Sequence, residues 1–250
     1  GFRGQDFMSF DYGLCLLAAF LASLVSGLGG FGGGFIIVLF LAPVVGPKAV
    51  IPLVAAYAIF GNISRILVYR RNIDWPLVGQ FTLASLPGVY IGANVFVWMN
   101  EAMLGVLLGL TLIIAVPIRR ILKKYEFHYG IKTIIGFGFL FGTISGTTAG
   151  SGMFVIAGLS GLGLGGVALL GTDAAIGLVN AIARSAAYWR FDSLPRDIFI
   201  AGLLMGLVTF PGTWIASRLV AMMGMTLHNL LIEGLIIGGG VFLIYQASGL

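Results

Sequence analysis

Gly27-Leu28-Gly29-Gly30-Phe31-Gly32-Gly33-Gly34 and Ser145-Gly146-Thr147-Thr148-Ala149-Gly150-Ser151-Gly152 are two glycine-rich breaks inside otherwise apolar runs. Each run reads as a membrane helix that its break interrupts. Hydrocarbon offers no water to a freed amide or carbonyl, so unwound backbone at that depth is tolerated only where protein or a polar cavity covers it. Two such breaks at matching positions in two halves point to a transport site.

The surrounding composition agrees. The chain has 250 residues, 59% hydrophobic and 9% charged, with a mean hydropathy of +1.06. Soluble domains carry about 25% charged residues, so there is too little charge here to cover a water-facing surface. Glycine, at 39 of 250, is well above its usual share of about 7% and lets membrane helices approach closely. Cys15 is the single cysteine, which excludes an internal disulfide or thiolate cluster. No basic segment precedes the first apolar run, which is also too long for a signal sequence.

Apolar runs place spans near 12–45, 48–69, 76–98, 102–118, 131–160, 166–189, 195–217 and 227–247. The expected fold is therefore all-α and integral to the membrane. It has about eight transmembrane helices as two four-helix repeats, the first helix of each broken mid-membrane. Residues 1–121 form the first repeat, 122–130 a basic cytoplasmic linker and 131–250 the second repeat. Loops 70–75, 119–132 and 190–197 then share one side with both termini and collect most Lys and Arg, which makes that side cytoplasmic. Tyr69, Trp75, Tyr188 and Trp189 would form its aromatic belt. The alternative is that each broken segment is a hairpin that turns back, which gives five elements per half and inverted repeats. Segment length slightly favours the hairpin and charge favours crossing. Crossing, with parallel repeats, is the expectation.

The halves are copies. At a shift of 119, Ser26-Gly27 matches Ser145-Gly146, and Gly33 and Phe35 match Gly152 and Phe154. Arg65, Tyr69, Arg71 and Pro76 match Arg184, Tyr188, Arg190 and Pro195 in the same register. Pro87-Gly88 matches Pro211-Gly212 at a shift of 124. With these breaks, this span layout and the Pro-Gly pairs, the chain resembles the sulfite exporter TauE/SafE family of bacterial anion permeases from about Ser23 onward. The resemblance implies efflux or uptake of sulfite, sulfonates or related organosulfur anions. In the second half, Gly150-Ser151-Gly152 stands in place of an uninterrupted glycine triplet, and the usual proline before Gly161 is missing.

Candidate substrate-binding residues are Gly32, Gly33, Gly34, Ser145, Thr147, Thr148, Ser151 and Gly152. A half-helix restarting after each break presents free amides and the positive end of a dipole, a ready anion site. The bland reading is that these glycines only permit tight crossings. Asn62, Arg65, Asn180 and Arg184 are candidates for gating or substrate contact, because an ionisable group inside a span is a functional hypothesis by default and a guanidinium fork suits an oxyanion. The competing reading is that each arginine, roughly 7 Å from its helix end, snorkels to the interface. Asp173 and Glu233 are candidates for coupling. For Asp173 the favoured alternative is an acid near the outer mouth, wet or bonded by Thr172; its equivalent in the first half is Val54. Gln80, Asn94 and Thr209 read as interhelical hydrogen bonders.

His128 and His228 lack neighbouring ligands, so neither a metal nor a cofactor is expected. The expected function is a secondary transporter of a small organic or sulfur-containing anion by alternating access. The alternatives are an anion-selective channel of the same fold and, less favoured, a membrane-embedded enzyme, for which no nucleophile–base pair is present. The partners would be the anion, a candidate coupling proton and the lipid bilayer, without nucleic acid. The location would be the inner (plasma) membrane, with both termini cytoplasmic.

Overall fold

The computed structural model describes residues 12–29, 33–124, 130–164 and 166–220, with positions 241 and 245. These residues form helices and no strands: α1 (Tyr12–Gly29), α2 (Gly33–Val45), α3 (Pro47–Tyr69), α4 (Trp75–Trp98), α5 (Glu101–Lys124), α6 (Ile131–Thr147), α7 (Gly152–Gly161), α8 (Gly166–Arg190), α9 (Arg196–Leu207) and α10 (Thr209–Val220). Pro47–Asn72, Trp75–Trp98, Gly166–Arg190 and Arg196–Ala216 are long and apolar enough to cross a membrane. Shorter apolar helices accompany them, including Gly33–Val45 and Ile131–Thr147. Large apolar side chains such as Leu83, Leu140, Ile182 and Leu204 point outward, as a lipid-facing surface requires.

Local sequence sets the boundaries. Gly46 takes φ +81° and Pro47 follows in the first turn of α3, where its missing N–H leaves no bond unmade. The Asp74 carboxylate accepts from the Leu77 amide and caps α4. The run expected as one span at 195–217 is one apolar span, Arg196–Ala216, interrupted only at Val208 between α9 and α10. Pro211 has no N–H for the Leu207 carbonyl and its ring crowds that turn.

The two glycine-rich breaks are turns of hairpins. A Cβ on Gly33 would lie 3.0 Å from the Ser26 Cβ and 3.2 Å from the Ala22 carbonyl oxygen. A straight continuation would put position 33 roughly 16 Å beyond position 22, so α2 folds back along α1. In the second half, a Cβ on Gly158 in α7 would lie 3.0 Å from the Phe137 ring in α6, although 21 positions separate the two in sequence. This corrects the expectation that each segment runs straight across. Each broken segment thus supplies two elements, and the second half starts from the opposite side; the span expected at 227–247 lies almost wholly outside the described residues.

Packing of the equivalent helices α3 and α8 shows the inversion directly. Asp173 meets Arg65, Gly177 abuts Asn62, and Gly171 abuts the Tyr69 carbonyl. As one number rises the other falls, so the helices are antiparallel and the repeats are inverted, not parallel. The sidedness reading changes with it. Loop 70–74 lies beside the start of α8, where the Thr172 hydroxyl accepts from the Asp74 amide. Loop 190–197 follows the far end of α8, where the Phe191 ring stacks on Tyr90 and Tyr188 on Phe96. These two loops therefore occupy opposite ends of the bundle. Tyr188 is fully buried and belongs to no interfacial belt with Tyr69. Residues 1–11 and 246–250, on which the expectation for the termini falls, lie outside the described residues.

The halves interlock. α6 lies parallel to α4, and α1 packs on α10. Reciprocal glycines set the α4–α6 spacing: a Cβ on Gly142 would come within 2.1 Å of the Ser85 carbonyl oxygen, and one on Gly92 within 2.1 Å of that of Thr143. Gly212 meets Phe20 and Ser23 of α1 as Gly88 meets Phe139 and Thr143 of α6. Phe20 and Phe139 are 119 positions apart, 139 minus 20, so the contact repeats with the duplication. Without a hydrophobic effect between helices in lipid, such backbone-to-backbone approach is the main source of association.

Two measurements test this fold. Gly142→Leu should lower thermal stability by about 1–3 kcal/mol or more through overpacking, whereas Gly79→Ala, with nothing within 4 Å of its Cβ, should leave the melting midpoint unchanged; equal effects would refute the tight α4–α6 crossing. Single cysteines at the exposed positions Asn72 and Asp192, in a Cys15→Ser background, should react with an impermeant thiol reagent from opposite faces of oriented vesicles. Labelling of both from one face would restore the parallel arrangement.

Candidate functional site

The start of α2 faces the second turn. A Cβ on Gly34 would lie 2.8 Å from Val54 Cγ1 and 4.0 Å from the Gly150 amide nitrogen. Between the turns and the central α3–α8 pair is a cavity of about 110 Å³. That is smaller than the roughly 300–1,000 Å³ of pockets for drug-sized ligands and suits a small solute or a few waters.

Most of the residues singled out from sequence line this one cavity. Gly33 and Gly34 enter from the first turn, and Ser145, Ser151 and Gly152 from the second. Asn62 and Arg65 come from α3, and Asp173, Asn180 and Arg184 from α8. Thr147 and Thr148 are buried at the second turn but do not line it. The Thr147 hydroxyl donates to the Thr143 carbonyl at 2.8 Å and that of Thr148 to Ala149 at 3.4 Å. Gly32 and Glu233 fall outside the described residues. Asn94 accepts from Trp98 within α4, and Thr209, the first residue of α10, donates to the Gly206 carbonyl at the end of α9, three positions back; both bonds are local in sequence.

Sequence reasoning passed over Tyr57, which also lines the cavity. The signal was available: Tyr57, Gly61 and Arg65 recur every four positions and so share one helix face. Val54, noted only as the counterpart of Asp173, lies one turn earlier on nearly the same face and lines the cavity as well.

The two equivalent arginines have different partners. Neither snorkels; Arg65 and Arg184 are 7% and 6% exposed. Arg65 Nη1 donates to Asp173 Oδ2 at 2.7 Å, and Nη2 donates to the Asn62 side-chain oxygen. Asp173 is thus a buried ion-pair partner, not a wet acid at the mouth, and the Thr172 hydroxyl is engaged with Asp74 instead. The antiparallel register of α3 and α8 decides this. Arg184 has no carboxylate in contact among the described residues. Its Nη1 donates to the carbonyls of Ser145 at 3.1 Å and Thr148 at 3.5 Å, which belong to the open C-terminal end of α6. Its Nε is buried without a hydrogen-bond partner. The Tyr188 hydroxyl donates to the neighbouring Gly146 carbonyl at 2.7 Å, so that end of α6 is held by side chains where the helix can no longer hold itself.

The start of α7 is the complement of that end. Ser151, at the N-cap, makes no side-chain capping bond, and Gly150 takes φ +83°, a conformation glycine adopts without strain. Ser151 and Gly152, at the start of α7, line the cavity together with Arg184. A helix start and a guanidinium that meets no carboxylate among the described residues therefore border the same space. The arrangement can hold a small anion. No group of His, Cys, Asp and Glu capable of holding a metal occurs among the described residues.

Because Asp173 is the carboxylate that meets buried Arg65, Asp173→Asn should cost about 3–5 kcal/mol of stability, as breaking a buried pair does, whereas the paired apolar replacement Arg65→Met/Asp173→Leu should recover most of that loss. Thermal unfolding of the purified variants checks it. A neutral effect of Asp173→Asn would mean that the pair is not formed.

The family model described as "Sulfite exporter TauE/SafE" matches residues 15–243. No curated protein and no solved structure shows a match to the chain. The matched segment takes in α1 to α10, both glycine-rich turns and the cavity between them, and with most of its length covered the chain belongs to the sulfite exporter TauE/SafE family.

Proposed function

We propose that this membrane transporter of the TauE/SafE family is a secondary carrier for a small organic or sulfur-containing anion such as sulfite or a sulfonate, held between the two glycine-rich turns. The observation that supports this best is the convergence of the start of α2 and the second glycine-rich turn on one small cavity with a buried arginine that meets no carboxylate among the described residues. Gly33, Gly34, Ser145, Ser151 and Gly152 would contact the anion, with Asn62, Arg65, Asn180 and Arg184 around it. Asp173 is the candidate for proton coupling, since protonation would release Arg65 from its pair. Glu233 keeps the candidacy its sequence position suggests.

Alternating access fits the packing in a particular form. The proposed repeats, 1–121 and 131–250 joined by 122–130, interlock through α1 on α10 and α6 on α4. Rocking one half rigidly against the other would break both contacts. The motion that preserves them carries each hairpin together with its partner from the opposite half, around the central α3–α8 pair. The location in this reading is the inner membrane. The end of the bundle with Arg70, Arg71, Lys132 and the last turns of α5, which hold Arg119, Arg120, Lys123 and Lys124, faces the cytoplasm by the positive-inside rule.

The second reading, an anion channel of the same fold, differs in whether both sides open together. Proteoliposome counterflow separates them. Vesicles preloaded with unlabelled sulfite should accumulate labelled sulfite transiently and saturably. Currents on the order of 10⁶ ions per second, the behaviour of a pore open across the membrane, would refute the carrier.

A further inference from the structure

The duplication carries one charge that it does not repeat. A shift of 119 takes Arg65 to Arg184, and takes Val54 to Asp173. The antiparallel register takes each arginine to a partner on the other helix. Arg65 and Asp173 sum to 238, and so do Val54 and Arg184. Val54 therefore holds toward Arg184 the register position that Asp173 holds toward Arg65. Val54 and Arg184 both line the cavity, and Val54 is buried beside Gly34. One half of the pseudo-symmetric site is neutralised by its own carboxylate. The other half has an aliphatic side chain where that carboxylate would be, and Arg184 meets no carboxylate among the described residues.

Building on the transport reading above, we infer that the carried anion takes, against Arg184 and beside Val54, the place that the Asp173 carboxylate takes against Arg65. Asp173 is then a built-in likeness of the ligand. It shows what the site accepts: one compact group of a single negative charge with at least two oxygens, able to receive a guanidinium N–H. A sulfonate or carboxylate head meets this description. A neutral solute would leave Arg184 buried and uncompensated, so charge acts as the first filter. A second negative charge would find Arg65 already occupied.

The test supplies the missing carboxylate in the chain itself. Asp is close to Val in size, so Val54→Asp should fold, with a ligand-free melting midpoint equal to or above that of the unaltered protein as the new carboxylate meets Arg184. Methanesulfonate is the probe, read by saturable thermal stabilisation of the full chain in detergent. Val54→Asp should weaken its binding by about tenfold or more, and so should Arg184→Gln, whereas the neutral Val54→Asn should weaken it less than Val54→Asp does, which separates charge from the change of side chain. The exchange Val54→Asp/Asp173→Val moves the carboxylate to the other half, bares Arg65, and should bind methanesulfonate again; it also tests the idea if Val54→Asp alone does not fold. Unweakened binding by Val54→Asp or Arg184→Gln, or no binding by the exchange variant, overturns the placement of the anion while leaving anion transport standing. If the unaltered protein binds neither methanesulfonate nor sulfite, the transport reading falls together with the placement.

Discussion

Main chain that leaves its helix within a bilayer has to be enclosed, and this requirement organises the structure. Each glycine-rich turn strands carbonyls at the end of one helix and amides at the start of the next. At the second turn the carbonyls are taken by Arg184 and Tyr188 from α8, while the start of α7 lines a small polar cavity. α3 and α8 form the walls of that cavity, and their antiparallel contact brings the start of α2 and the second turn to one place. Had the helices run parallel, the turns would lie at one depth but side by side, and Asp173 would sit far from Arg65.

Close helix contact makes the enclosure possible. Neighbouring helices in lipid gain little from burying apolar surface, since the tails are as apolar as the side chains. Glycines 88, 92, 138, 142 and 146 let α4 and α6 touch backbone to backbone, and dispersion and weak polar contacts add up along that line. The equivalent contact between α10 and α1 fixes the other hairpin. The hairpins are thus clamped from outside by the opposite half and closed from inside by α3 and α8.

Electrostatics then separates what symmetry made equal. Two guanidiniums buried at this depth are costly unless compensated. Asp173 compensates Arg65 within the fold. Among the described residues Arg184 meets only carbonyl dipoles, which orient it without cancelling its charge. An inverted duplication builds two equal halves of a site, and a single substitution at the 54/173 pair makes one half structural and leaves the other half free for a solute.

The amino-acid sequence by itself determined the membrane class, most helix boundaries among the described residues (α5 runs on to Lys124, six residues past its expected end) and the set of residues worth examining. These depend on local quantities: runs of apolar side chains, glycine and proline punctuation, and identities in one register. It did not determine the direction of the second segment after each break. Crossing and turning back have the same local propensities, and charge counting favoured the wrong side for loop 190–197. Nor did it assign partners. Asp173 shares α8 with Arg184, roughly 16 Å along the helix, and spacing along one helix is all that a single sequence displays. Its actual partner, Arg65, is 108 positions distant and adjacent only through the antiparallel packing of α3 on α8. Contacts between distant segments depend on how helices pack, and only the tertiary structure decided that.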